Sequence, residues 1–384
     1  MNWKETDLED FVDLISGPAF KSSKFTNDTS DFPLIKGENI GQGEIIWSKS
    51  KYWPASDSEN YEKYFLEAGD VILAMDRPWV TAGLKFAIMR ENNPKSLLVQ
   101  RVARMRGKNG LRSDYLGHLV SSKPFSAYIQ GIMGGTNVPH ISGKQIKSFR
   151  FQLPPLEAQE KIASILSAYD YLIDNNKRRI ALLEDAARQL YKEWFVRFRF
   201  PGHEHVKIVD GVPEGWERLP LGELLTLQRG FDLPVKDRKE GSVPIYASTG
   251  INGFHNEAKA KGPGLVTGRS GSLGKVILVL ENFWPLNTAL WVKEFKKIDP
   301  YFSYFLLQSL RLENYNGGAA VPTLNRNDVH RIDVSLPSAA LLTEFADAVS
   351  PTFEQQRLLK RQNEKLGEAR DLLLQKLMSG EIPV

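Results

Sequence analysis

The sequence predicts an α+β protein in which two similar mixed α and β globular domains are separated by two long antiparallel coiled-coil helices, with a pseudo-twofold axis from an internal repeat. Three observations predict it. Short segments recur at one fixed offset, each copy divides into a Gly-, Pro- and aromatic-rich part and a part without helix breakers, and the breaker-free part carries a heptad.

The duplication is read first. Residues 134–139 are GGTNVP and residues 317–322 are GGAAVP, 183 positions apart. The same shift relates Leu153-Pro154 to Leu336-Pro337, Leu183 to Leu366 and Leu190 to Leu373. Upstream, GDVILAMDR ending at Arg77 resembles GPGLVTGR ending at Arg269, and LEDFVDLISGPAF from Leu8 resembles LGELLTLQRGF from Leu221. The offsets there are larger, so the first copy carries about thirty extra residues, expected as surface loops.

Four segments follow in order. Residues 1–153 form the first globular domain, with β-type runs such as 70–74 and 97–102. Residues 154–200 form a central helix, free of Pro and Gly from 156 onward. Residues 201–336 hold a connector and the second globular domain, with β-type runs at 275–280 and 289–293. Residues 337–384 carry the second helix, where only Gly367 interrupts 352–379.

In the central helix Ile162, Leu166, Tyr169, Ile173, Asn176, Ile180, Leu183, Ala187, Leu190 and Trp194 alternate spacings of four and three. That is a coiled-coil seam, since a helix packed on its own domain shows a wider stripe over fewer turns. Shifted by 183, the second helix presents Phe345, Val349, Leu359, Leu366, Leu373 and Leu377, with Thr352, Gln356, Asn363 and Arg370 between them. Asn176 either sets the register or marks where the helices part. Antiparallel pairing would make a rod of about 50 Å at 1.5 Å per residue, acting as a spacer.

Composition excludes several classes. With no cysteine among 384 residues, disulfide frameworks, thiolate metal sites and thiol catalysis are ruled out. No run approaches the roughly 20 apolar residues that span a bilayer, and the acidic, amphipathic start MNWKETDLEDFVDLI is unlike a signal peptide, so a cytoplasmic protein without membrane association is expected.

A net charge of +4 is too small to announce a polyanion binder, but its distribution is uneven. From Lys85 to Arg112 there are eight basic residues and one acidic residue, Glu91, whereas 157–199 holds eight basic and seven acidic. Gly107, Asn109 and Gly110 make a loop that backbone phosphates can approach. In the second copy Lys259, Lys261, Arg269 and Lys275 surround GRSGSLGK. Two basic surfaces on a rigid spacer suit duplex DNA, where half-sites on one face recur about every 34 to 36 Å. Because the two domains differ in sequence, the target is expected to be bipartite and asymmetric.

The candidate DNA-binding residues are Arg77, Lys85, Arg101, Arg104, Arg106, Lys108 and Arg112, with Asn137 and His140 beside the repeated Val-Pro. The second domain contributes Arg229, Lys259, Lys261, Arg269, Ser270, Ser272 and Lys275. A capped turn is the competing account of Asn137 and His140, and Trp79, Trp284 and Trp291 are read as core.

Motifs for chemistry fail. Gly274-Lys275 has Arg269 where a Walker A loop needs Gly and Val276 where it needs Ser or Thr. Ser272 stands at the last glycine position of a nucleophile elbow begun by 268–271. His203 and His205 sit in a Pro-Gly connector without a third metal ligand, and are read as solvated linker. No catalytic centre, cofactor or metal is expected in this chain.

Across its whole length the chain resembles the specificity (S) subunits of type I restriction-modification systems. The resemblance lies in 151–195, FQLPPLEAQEKIASILSAYDYLIDNNKRRIALLEDAARQLYKEWF, in VPEGWERLPLGEL from Val212, in LLLQKLMSGEI from Leu372, and in the loops GRSGSLGKV and AMDRPWVTAGLK. One departure is LPSAALLTEF at 336–345 in place of LPPLEAQEKI, which makes the symmetry approximate. The resemblance implies two target-recognition domains that each read half of a split DNA site, and antiparallel helices that set the gap. It implies two adenine methyltransferase (M) subunits clasping those helices and association with restriction/motor (R) subunits, which would hold S-adenosylmethionine, ATP and magnesium. Two other functions stay open at this point: a coiled-coil protein-interaction scaffold, and a stand-alone DNA-modifying enzyme.

Overall fold

The computed structural model describes residues 3–133, 139–318 and 321–384. The chain forms two compact units, one built from the residues up to Ile173 together with Glu364–Val384, the other from Asp174–Asn363. Each unit therefore contains a globular part and a length of both long helices.

In the first unit the main sheet has the order Val12–Ser16, Val102–Gly107, Val71–Ala74, Phe86–Ile88 and Gln42–Gly43, antiparallel except for the last pair. Alternation gives it two apolar faces. Val71, Leu73, Ala103 and Met105 pack toward the helices, and Ile72, Ala74, Ala87 and Val102 pack the other way. A second sheet orders Lys51–Trp53, Phe32–Ile35, Ser96–Leu98 and Phe65–Leu66.

The second unit repeats the plan with Leu225–Arg229, Ala289–Phe295, Gly264–Gly268 and Val276–Val279, and a smaller sheet of Gly250–His255, Val243–Ala247 and Trp284–Pro285. A short ladder closes each globular part, Lys4–Asp7 on Arg150–Leu153 and Glu217–Pro220 on Asp333–Leu336. The extra residues of the first copy are not merely loops, because they supply the fifth strand, Gln42–Gly43, and the 3-10 turns that follow it.

Glycine is obligatory at one shared place. Gly17 N donates to Val102 O at 3.2 Å and Gly230 N to Ala289 O at 3.0 Å. A Cβ would lie 2.4 Å from the Val99 carbonyl at Gly17 and 2.2 Å from the Leu286 oxygen at Gly230.

The central helix runs over Leu156–Tyr191 and ends in a π turn, Lys192–Val196, which brings both Trp194 and Phe195 into the core. The C-terminal helix spans Ala339–Met378 and continues through Pro351. Proline there deprives the Asp347 carbonyl of its helical donor, at a typical cost of about 3 kcal/mol. Val349 and Phe353, both buried in the aromatic core, and the Thr352 hydroxyl bonding Val349 O at 2.7 Å offset that loss.

The two helices pair antiparallel within each unit. Early in the central helix, Ile162 and Leu166 share a core with Leu374 and Leu377, late in the other. In the second unit Trp194 and Phe195 meet Phe345 at ring-centroid distances of 5.8 and 4.9 Å. Ile162, Leu166, Asn176, Trp194, Phe345, Val349, Leu359 and Leu377 are buried; Tyr169, Ile173, Ile180, Leu183, Leu190, Leu366 and Leu373 are half-buried. Asn176 Nδ2 donates to Asn363 Oδ1 at 3.0 Å, so it is a paired polar layer and not a place where the helices part.

Candidate nucleic-acid interface

Four strands of each main sheet have one terminus on the same side, and several of the candidate residues sit there. In the first unit these are the end of Val12–Ser16, the start of Val102–Gly107, the end of Val71–Ala74 and the start of Phe86–Ile88. Arg101, Arg77 and Lys85 sit there, and 139–141 passes beside them. Met75 N donates to Arg101 O, Ile141 N to Met75 O and Arg77 N to Pro139 O, at 2.9, 2.9 and 2.8 Å. Arg77 and Arg101 both have positive φ, 44° and 62°, which turns the chain sharply at the strand ends.

Asp76 is the hub. Arg101 Nη1 donates to its Oδ2 and the His140 ring contacts its Oδ1, both at 2.6 Å. Burial opposes ionisation of Asp76, but the hydrogen bonds from His140 and Arg101 outweigh it and hold the carboxyl below its ordinary value. Burial, then the charges of Lys49 and Arg77, pulls the Lys85 ammonium below its ordinary value. The charges of Glu38 and Asp76 act in the opposite direction and offset part of this.

The second unit builds the same end. Arg269 N donates to Thr288 O, Leu324 N to Arg269 O and Gly271 N to Pro322 O, at 2.9, 2.8 and 3.0 Å. This pattern makes Met75 the counterpart of Arg269, and Arg77 that of Gly271, two residues away from the pairing of Arg77 with Arg269 that the sequence suggested. Strand register makes Lys275 the counterpart of Lys85, since Val276 opposes Thr267 as Phe86 opposes Leu73. Lys275 Nζ donates to Thr249 O at 2.9 Å, Arg269 Nε to Asn287 O at 2.9 Å, and Arg229 Nη2 to Asp232 at 3.0 Å. Asn287 also bonds Asp232. Ser270 is half-buried, Ser272 exposed, and the Ser272 carbonyl would lie 1.7 Å from a Cβ at Gly268, so the loop folds tightly on itself instead of opening as an anion cradle.

The basic run of the first domain is not one patch. Arg104 lies by alternation on the same face as Val102, with a side chain 6% exposed and bonded to Asp13. Its counterpart by register is Trp291. Arg106 binds Asp70 through Nε at 2.5 Å and Nη2 at 3.0 Å. Arg112 binds Asp114 at 2.7 and 3.1 Å and lies 3.9 Å from Glu160. Arg104, Arg106 and Arg112 are thus each engaged in an ion pair, with Arg104 buried and Arg106 and Arg112 part-exposed. Lys108 is exposed but follows the far end of that strand, where the fully buried Gln159 amide clamps the loop through Gly110 O and Arg112 N.

Lys259 and Lys261 are exposed and precede Gly264–Gly268, whereas Arg269 follows it, so they too stand at the opposite strand end. Lys259 covers the Trp284 ring at 5.1 Å. Trp284 is buried and Trp79 and Trp291 pack against the cores. Asn137 lies outside the described residues. Sequence inspection for cations passed over Asp76, Asp232, Asn287, Thr288 and Thr323, which strand pairing and hydrogen bonds bring beside the candidate residues.

Among the described residues no group of three or more His, Asp or Glu side chains is placed to hold a metal ion. His203 and His205 instead flank Glu204 at 3.3 and 3.7 Å. No described helix is long and apolar enough to cross a membrane.

Residues 1–185 and 213–368 match the family model described as the type I restriction modification DNA specificity domain. The type I restriction enzyme MjaIX specificity subunit of Methanocaldococcus jannaschii is 30% identical over 72% of this chain and 71% of that protein. The MjaVIII specificity subunit of the same organism is 28% identical over 49% of this chain and 44% of its own length. In fold, the chain is similar to the crystal structure of a type I restriction-modification system S subunit from M. genitalium, with a TM-score of 0.62 and 16% identity over 98% of this chain and 96% of that one.

Proposed function

Since the chain belongs to the type I restriction-modification DNA specificity family, as a specificity subunit, we propose that each of its units reads one half of a split, asymmetric sequence in duplex DNA. The observation that carries this is the repetition of one sheet end, with Lys85 and Lys275 in equivalent places and different side chains around them. Arg77, Arg101 and His140 serve one half; Arg229, Arg269, Ser270, Ser272 and Lys275 serve the other. Lys side chains position the phosphates, and Arg side chains discriminate bases.

Chemistry belongs to partners in the cytoplasm. Two methyltransferase subunits holding S-adenosylmethionine, and restriction/motor subunits holding ATP and magnesium, act at the site this chain selects. Exposed apolar side chains on the long helices, Tyr171, Leu172 and Leu372 in the first unit and Leu182 and Leu358 in the second, offer them docking positions on each unit. The test is co-expression with the methyltransferase subunit and mapping of methylated adenines. A split motif is expected, with one half altered when residues 1–150 are exchanged for those of a relative. Methylation independent of sequence, or both halves unchanged by the exchange, overturns the proposal.

A further inference from the structure

Six side chains occupy equivalent places on the two sheet ends, three in each unit. The backbone bonds that tie Met75 to Arg101 and Ile141 recur as those tying Arg269 to Thr288 and Leu324. Asp76 bridges His140 as Ser270 bridges Thr323. Position 76 therefore corresponds to 270, 101 to 288 and 140 to 323. The backbone hydrogen bonds of the scaffold recur at 2.8 to 3.0 Å in both units, yet the chemistry on it is opposite in kind. The first unit carries a carboxylate joined to a guanidinium and an imidazole, with Arg101 67% exposed. The second carries three hydroxyls.

We propose that these two sets of three are the positions at which the units read different base pairs, an inference that rests on the DNA-recognition reading above. A guanidinium fork held by Asp76 matches the two acceptors on the major-groove edge of guanine, and Asp76 is a positioning residue that aims it. Thr and Ser hydroxyls accept or donate with any base, and Thr adds a methyl that packs on the thymine methyl. The first set selects a G·C pair and the second set an A·T pair.

The experiment uses the full chain assembled with its methyltransferase subunits, with methylated adenines mapped on a randomised duplex library. One variant carries Ser270→Asp, Thr288→Arg and Thr323→His; the reciprocal variant carries Asp76→Ser, Arg101→Thr and His140→Thr and introduces only smaller side chains. Each exchange is expected to change the preferred base pair in its own half by about tenfold or more, and to leave the other half as it was, which is the internal control for folding. A purely structural role would change the rate at both halves together. If the unaltered assembly methylates no split motif, the proposed function falls. If it does, and both exchanges leave both halves unchanged, this inference alone falls.

Discussion

Replacing Arg106 with Met keeps most of the side chain's volume but removes the guanidinium that holds Asp70, whose side chain is 2% exposed. Asp70 would retain the hydrogen bond from Glu67 N at 2.8 Å and lose both bonds from Arg106. Removing one partner of a buried pair costs about 3–5 kcal/mol. Arg106 is itself 29% exposed, so solvent reaches the gap and a loss somewhat below that range, about 2–3 kcal/mol, is expected. Arg101→Met is the counterpart: its ion pair with Asp76 is at the surface and contributes below about 1 kcal/mol, but duplex affinity should fall about tenfold. Urea denaturation measures the first effect and fluorescence anisotropy with a duplex carrying the mapped site, at one fixed salt concentration, measures the second. The assignment of Arg106 to structure is refuted if Arg106→Met unfolds within about 0.5 kcal/mol of the unaltered protein and binds the duplex tenfold more weakly.

Gly17→Ala and Gly230→Ala should each cost about 3 kcal/mol or more, because the new methyl meets backbone that cannot yield; thermal melting checks this. Lys85→Gln and Lys275→Gln should each reduce the slope of log affinity against log salt by about 1 unit, measured by titration across salt concentrations. Asp76 titrates below its ordinary value of 3.8 in the folded chain. Its contribution to stability is therefore present above that value and lost as the pH falls through the lower, folded one. Urea midpoints for Asp76→Asn should converge on those of the unaltered protein at strongly acidic pH and lie below them at neutral pH.

Much of the architecture is legible because it depends on local periodicity. The heptad through Ile162 and Trp194 is written in spacings of three and four, and the duplication in an offset of 183, so helix pairing and two similar units follow without any contact being known. Pro351 and the π turn at Lys192–Val196 were not legible, since the first looks like a helix boundary and the second depends on an aromatic core assembled from distant segments. The register that makes Met75 the counterpart of Arg269 was also hidden, because three hydrogen bonds from far along the chain define it.

By itself, then, the sequence determined that the chain is a repeated globular-plus-helical unit with cations concentrated in the globular parts. Only the tertiary structure decided which cations share a surface. A six-residue strand, Val102–Gly107, carries its ends about 20 Å apart and turns alternate side chains to opposite faces. One contiguous basic run is thereby spread over Arg101 at one strand end, Arg104 and Arg106 paired with Asp13 and Asp70 along the strand, and Lys108 in the loop at the far end. Conversely, strand pairing brings Asp76, Arg101 and His140 together from three distant stretches of chain, a convergence that no spacing along the sequence records.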